Sequence, residues 1–250
     1  MITQQQWDFY AENGYLKLGR VLADNELATL QQRIDAIMLG TADIQYDRML
    51  MQLDGANTKQ SKGFKGATLE YRKIQDLEYD QAYLDYMRKP IFQDLCRRVY
   101  GDVAISAFRA MFMNKPAGRG TPLRWHQDRW TALDRDPLVT AWTALDPASI
   151  ANGCVQVIPG SHRHGLINPS DPSGFLTDEQ ATRHCPADQI AHLELAAGET
   201  VLLHNWLLHS SGVNSTEIAR RAFSVCYMDA RTTNVRSAES YTEIFRPAAA

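Results

Sequence analysis

Hydrophobic and polar positions follow two rhythms along the chain, one before about residue 102 and another after it. The first is helical. Thr3-Gln4-Gln5-Gln6 fits a capping box, in which Thr3 accepts from the third backbone N–H and Gln6 reaches back to the cap. Trp7 and Tyr10 then share a face, and Asn13-Gly14 supplies a stop. Tyr15–Leu18 reads as a short strand. A second helix starts near Asp24, with Leu27, Leu30, Ile34 and Ile37 as its apolar stripe. Leu84, Met87, Ile91, Leu95 and Val99 mark a third helical stretch over about 80–100. Pro90 is expected to break that stretch, and Gly101 to end it. Residues 40–70 are polar and rich in Gly, Lys and Gln. With Asp54-Gly55 and Ser61-Lys62-Gly63, they predict a long loop. A loop of that length in a compact domain is typically a lid or binding loop.

From residue 103 the runs become short and strand-like: Val103–Met113, Leu138–Leu145, Val155–Ile158, Ile190–Leu195, Thr200–Leu203 and Ala222–Met228. Gly, Pro, Asn and Asp clusters separate them. This spacing predicts a β-sandwich or barrel rather than βαβ units. The simplest organisation is one domain over 1–250. Residues 1–102 form a mostly helical support with a loop over the site, 103–230 the β core, and 231–250 a C-terminal extension. Neither GxGxxG nor GxxxxGK[ST] occurs, so nucleotide binding by those routes is unsupported.

Composition narrows the function classes. The hydrophobic set makes up 44% of the chain, which suits a soluble globular domain and not a disordered one. The formal net charge of −3 leaves no basic surplus for a nucleic acid or an acidic membrane surface. No apolar run reaches the roughly 20 residues of a membrane helix. The first six residues carry no leader pattern. Cys96, Cys154, Cys185 and Cys226 form no CxxC pair, and free thiols in a reducing cytoplasm are expected.

His126 and Asp128 are two residues apart in Trp125-His126-Gln127-Asp128-Arg129, so in an extended segment they point to one face. An imidazole and a carboxylate can then reach one ion. A carboxylate orienting a histidine in a polar turn is the competing reading of such a pair. His209, followed by turn residues, is a second candidate, and Arg220 begins the strand through Met228. Two histidines and a carboxylate on one face of Fe(II) leave other positions open for a chelating co-substrate and dioxygen. A nearby arginine suits a carboxylate, which it grips through two parallel hydrogen bonds. His162 and His164 follow the Pro159-Gly160 turn and read as structural. His204 reads as packed rather than ligating.

Several blocks together resemble the phytanoyl-CoA dioxygenase family of Fe(II)- and 2-oxoglutarate-dependent oxygenases. They are Asn114-Lys115-Pro116, the HxD pair, Ala141–Asp146, Asn152-Gly153-Cys154, Val157–His162, Gly198–His204, and His209 through Arg220. The resemblance spans nearly the whole chain in order. It implies a double-stranded β-helix, a cupin-like jelly roll flanked by helices. It implies Fe(II) on His126, Asp128 and His209, with 2-oxoglutarate and O2 as co-substrates. Arg220 matches the partner of the distal carboxylate, and Ser211 a hydroxyl beside it. Trp142 and Met111 match walls of the co-substrate pocket, and Lys73 a further contact. The implied reaction hydroxylates an unactivated C–H of a small metabolite, with release of succinate and CO2. Asp128 occupies the position a halide takes in halogenating relatives, which favours hydroxylation.

Substrate contacts are expected at Arg129 and Trp130, which follow the HxD pair. Loops 40–70 and 164–189 are expected at the mouth of the barrel. Arg48, Gln52, Lys59, Lys62 and Lys65 in the first loop would suit an acidic substrate, or simply face solvent. Two other classes stay open on the sequence: a cupin-like isomerase or hydrolase that does not use 2-oxoglutarate, and a non-catalytic ligand-binding jelly roll. No heptad run points to an oligomer.

Overall fold

The structure, a computed structural model, describes residues 2–55 and 58–247. In chain order the elements are α1 (Gln4–Asn13), β1 (Tyr15–Arg20), α2 (Asp24–Met38), β2 (Leu50–Leu53), β3 (Ser61–Lys62), β4 (Tyr71–Ile74), α3 (Gln81–Met87) and α4 (Pro90–Tyr100). There follow β5 (Ile105–Lys115), β6 (Leu123–His126), β7 (Val139–Ala144), β8 (Val155–Val157), α5 (Asp178–His184) and β9 (Ala191–Leu193). The last are β10 (Glu199–His204), β11 (His209–Ser211), β12 (Arg220–Asp229) and β13 (Glu243–Phe245). All strand pairs are antiparallel.

Two sheets stack as a jelly roll. The larger runs β1-β10-β7-β12-β5-β4-β2-β3, with β13 pairing the start of β5. The smaller runs β6-β11-β8-β9. Strand alternation sends successive side chains to opposite faces, and the large sheet uses both. Ala141, Leu202, Phe223, Val225 and Tyr227 pack against the helices, with Ile34 and Ile37 of α2, Tyr83 of α3 and Phe92 of α4. Trp142, Val201, Leu203 and Ala222 alternate with them and face β8 and β9. The interior between the sheets holds the site described below.

The α1 capping box forms as expected, and Gly14 ends the helix in the left-handed region at φ 77°. Pro90 opens α4, which splits the third helical stretch in two. The inward face there differs from the aliphatic stripe: Tyr83, Tyr86, Met87, Phe92, Leu95 and Cys96 are buried, while Leu84, Ile91 and Val99 lie at its margin. Residues 40–70 are not a free loop, since β2 and β3 extend the large sheet through β4. Those strands have only four and two residues, so periodicity does not reveal them. The four cysteines are free and buried. No described helix is long and apolar enough to cross a membrane.

Candidate active site

His126 ends β6 and His209 begins β11, and the two are direct cross-strand partners. Their ring centroids lie 4.0 Å apart. Asp128, just past β6, reaches both: its carboxylate oxygens lie 3.9 Å from His126 Nε2 and 3.9 Å from His209 Nε2. Ligand atoms of the three residues all fall within 4.8 Å of one another. His126 Nδ1 lies 2.9 Å from the Arg124 carbonyl, and His209 Nδ1 lies 2.9 Å from the Leu207 carbonyl. A carbonyl only accepts, so each Nδ1 carries the proton and each Nε2 keeps a free lone pair. Backbone carbonyls orient metal-bound histidines in this way. Burial, with His209 alongside, pushes the His126 pKa down to about 3, so the ring stays neutral.

The segment carrying the pair is held from behind. Gln127 is 1% exposed. Its amide donates to the carbonyls of Gly165 (2.8 Å) and Trp206 (2.6 Å) and accepts from the Ile167 N–H at 2.8 Å. The Asp128 N–H donates to the Asn205 carbonyl at 2.6 Å. Gly174 crosses directly over this backbone at φ 71°, and a Cβ there would lie 2.0 Å from the Gln127 carbonyl oxygen. Beyond Gly174, the Phe175 ring stacks on His126 at 5.1 Å.

The triad opens on a cavity of about 220 Å³ between the sheets. Lys73, Met111, Trp130, Trp142, Ser211 and Arg220, all singled out in the sequence, line it. Arg129 does not: it alternates away and donates to the Pro169 carbonyl at 2.9 Å. Among the described residues, Ser173 and Phe175 of the 164–189 loop reach the cavity, and none of 40–70 does. Gln52 is spent on Thr58, Lys65 on Lys62, and Arg48 lies over the Tyr79 ring. Thr140, Ser224 and Arg109 also line the cavity and were not singled out from the sequence. Arg109 left a signal, as the one charge inside the apolar run Ile105–Met113.

Arg220 and Arg221 separate by strand alternation. Arg221 faces outward, where its guanidinium binds both oxygens of Asp146, at 2.7 and 2.8 Å, and reaches Asp35 of α2 at 2.6 Å. Arg220 faces the cavity, 3% exposed, its guanidinium carbon 5.4 Å from the Trp142 ring centroid. Its Nε and Nη1 have no hydrogen-bond partner among the described residues. Burial lowers its pKa to about 10, so it remains charged at neutral pH. His162 and His204 lie apart from the triad, their rings tilted against each other with centroids 4.8 Å apart. His204 Nδ1 accepts from the Trp206 N–H, which is a structural use.

These residues fit both a metal and an acidic co-substrate. The triad offers two imidazole lone pairs and a carboxylate, and Arg220 offers buried donors that lack an acceptor. The model of the phytanoyl-CoA dioxygenase (PhyH) family matches residues 10–222. A probable phytanoyl-CoA dioxygenase of Caenorhabditis elegans is 28% identical over 240 residues, covering 91% of this chain and 75% of that one. The peroxisomal phytanoyl-CoA dioxygenase of Rattus norvegicus is 28% identical, covering 91% of this chain and 68% of its own. Among solved structures, EctD from S. alaskensis superposes with a TM-score of 0.71 at 20% identity, over 92% of this chain and 78% of that chain. EctD has also been solved with bound Fe, and with 2-oxoglutarate and 5-hydroxyectoine. The likeness to EctD carries the fold, and the family match carries the chemistry. The chain belongs to the phytanoyl-CoA dioxygenase family and is an Fe(II)- and 2-oxoglutarate-dependent non-haem oxygenase.

Proposed function

We propose that the chain hydroxylates an unactivated C–H bond of a small metabolite, with His126, Asp128 and His209 holding Fe(II) and Arg220 holding the far carboxylate of 2-oxoglutarate. The observation that carries this reading is Arg220, a buried, charged guanidinium with two unpartnered nitrogens on the cavity that the triad faces. An isolated buried charge is costly. A carboxylate on its planar fork satisfies two donors at once. Ser211 adds a hydroxyl donor beside it, and Trp142 and Met111 form the wall. Lys73 supports the same anion, its pKa lowered to about 8 by burial and by Arg109.

Fe(II) and 2-oxoglutarate, when bound, supply the oxidising chemistry: O2 places one oxygen atom in succinate, formed with CO2, and one in the substrate C–H bond. The chain supplies geometry. The two backbone-bonded imidazoles keep Nε2 aimed at one point. Gln127 and Asn205 fix the strand end that carries Asp128. Asp128 keeps a carboxylate where a halide would otherwise sit, which favours hydroxylation. Trp130 faces the remaining space, where the substrate lies. The partners in this reading are small molecules, not nucleic acid or a membrane. The four free thiols suit a reducing compartment, and in this reading the chain works in the cytoplasm.

Kinetics of 2-oxoglutarate use test the reading. Arg220→Gln should raise the KM for 2-oxoglutarate at least about tenfold, because charge-assisted hydrogen bonds contribute roughly 1.5–3 kcal/mol and 1.4 kcal/mol is tenfold. Arg220→Lys should fall between. Succinate release should require both 2-oxoglutarate and O2. An unchanged KM in Arg220→Gln would remove Arg220 from this role.

A further inference from the structure

Arg109 is a second guanidinium on the same cavity, half-buried, and the reaction described so far leaves it without a task. It alternates with Met111 and Met113 on β5, and all three side chains face the space between the sheets. The β5–β12 register shifts here: Cys226 pairs with Arg109 but Tyr227 pairs with Ala107, so Phe108 is the extra residue. Such a bulge re-aims the side chains around it. Phe108 turns its ring onto Trp130, centroids 4.7 Å apart, and onto Tyr241 at 5.7 Å. The Arg109 guanidinium carbon lies 4.9 Å from the Trp130 ring centroid and 5.3 Å from that of Phe108. Aromatic contact of this kind steadies a guanidinium. It uses the π faces and leaves the N–H fork available. Arg109 makes no hydrogen bond or ion pair with any described residue.

Charge balance gives this position a direction. The metal dication, Asp128 and the two carboxylates of the co-substrate together leave one negative charge, which Arg220 offsets. Lys73 stands with Arg220 on the co-substrate and can shed its proton in a buried site, whereas an arginine cannot, so Arg109 remains. Arg109 therefore faces the open part of the cavity, beside the triad, as a permanent cation with no directly paired carboxylate, since Asp128, Glu239 and Asp76 act on it only from a distance. The cavity of about 220 Å³ must also hold the co-substrate, so the molecule that answers Arg109 is small.

We propose that Arg109, steadied by Trp130 and Phe108, is the anion-binding position for the substrate, and that the molecule oxidised here is a small carboxylate. The planar fork suits a carboxylate through paired hydrogen bonds. This assignment rests on the reading of Arg220 and the triad given above.

Two binding measurements separate the inference from that reading. Both use the Fe(II)-loaded protein without oxygen. In the first, 2-oxoglutarate is titrated into wild type, Arg109→Gln and Arg220→Gln. Wild-type affinity should survive Arg109→Gln and fall in Arg220→Gln. If wild type does not bind 2-oxoglutarate, the reading fails and the inference falls with it. If Arg109→Gln weakens 2-oxoglutarate as much as Arg220→Gln does, Arg109 belongs to the co-substrate and the inference alone fails. In the second, short- and medium-chain carboxylic acids, each beside its primary amide, are titrated calorimetrically into the 2-oxoglutarate complex. At least one acid should bind about tenfold or more tightly than its amide, as expected for a charge-assisted pair. Arg109→Gln should erase that preference and Arg109→Lys should keep part of it. If no acid is preferred over its amide, or the preference survives Arg109→Gln, the inference is overturned.

Discussion

Adjacent residues of like chemistry do opposite work in this protein. Arg220 and Arg221 are neighbours, yet one faces an unanswered cavity and the other ties Asp146 and Asp35 to the sheet edge. Arg220 was legible only through its match to a family pattern. Nothing in Arg220-Arg221 itself tells which of the two points inward. Arg109 was missed although a charge within an apolar strand is a visible anomaly. Such a residue either finds a partner or awaits one, and of its two ring neighbours, Phe108 and Trp130, the second lies where no local pattern reaches. Glu78 is a related case away from the site. Burial, with Asp76 and Glu239 nearby, outweighs a backbone hydrogen bond and Arg48 and raises its pKa from the ordinary 4.5 to about 7, and its Oε2 has no partner among the described residues. The folded chain thus holds a proton that the unfolded chain releases at lower pH. This group's stabilising contribution is full below about 4.5 and declines as pH rises through about 7. Glu78→Gln should therefore gain thermal stability over wild type as pH rises from about 5 to about 8. Equal melting temperatures at both ends of that range would contradict this.

At the scale of elements, strands built on apolar or alternating runs were legible, whether long (β5, β7 and β12) or short (β1, β8, β9 and β10), and β11 was not. β11 has three residues, of sequence His-Ser-Ser, and forms because β6 and β8 offer hydrogen bonds on both sides. Yet β11 brings His209 opposite His126, so the metal geometry depends on an element with no propensity signal of its own. The HxD spacing was readable, because i and i+2 share a face in any extended segment. The crossing of Gly174 over Gln127 was not readable, because it joins residues 47 apart through a loop. That crossing is testable. Gly174→Ala places a Cβ 2.0 Å from the Gln127 carbonyl and forces a left-handed φ of 71°. A left-handed alanine costs about 1–2 kcal/mol before any clash. The variant should melt at least several degrees lower and bind Fe(II) more weakly, because the displaced backbone lies between His126 and Asp128. Unchanged Fe(II) affinity would show that the crossing does not position the pair.

At the scale of the whole molecule, the jelly roll concentrates charge where helices would not allow it. Helices cover one face of the large sheet with an apolar layer, and the other face is free to present Arg109, Lys73 and Arg220 to a shared interior. The small sheet closes that interior with the two histidines. Periodicity predicted a helical part packed on a β-sandwich or barrel, and the family resemblance implied the jelly roll. Neither predicted that residues 40–70 would widen the large sheet, because β2 and β3 have only four and two residues. The central claim is that one cavity holds Fe(II) on the triad while Arg220 anchors 2-oxoglutarate. Its most direct test is an anaerobic titration of apo protein with Fe(II) and then 2-oxoglutarate, followed by the visible charge-transfer absorption of a metal–keto-acid chelate. Wild type should develop the band, His209→Ala should lose it, and Arg220→Ala should need far more 2-oxoglutarate to reach it. An iron-loaded wild type without the band, or a His209→Ala variant that keeps it, would contradict the account.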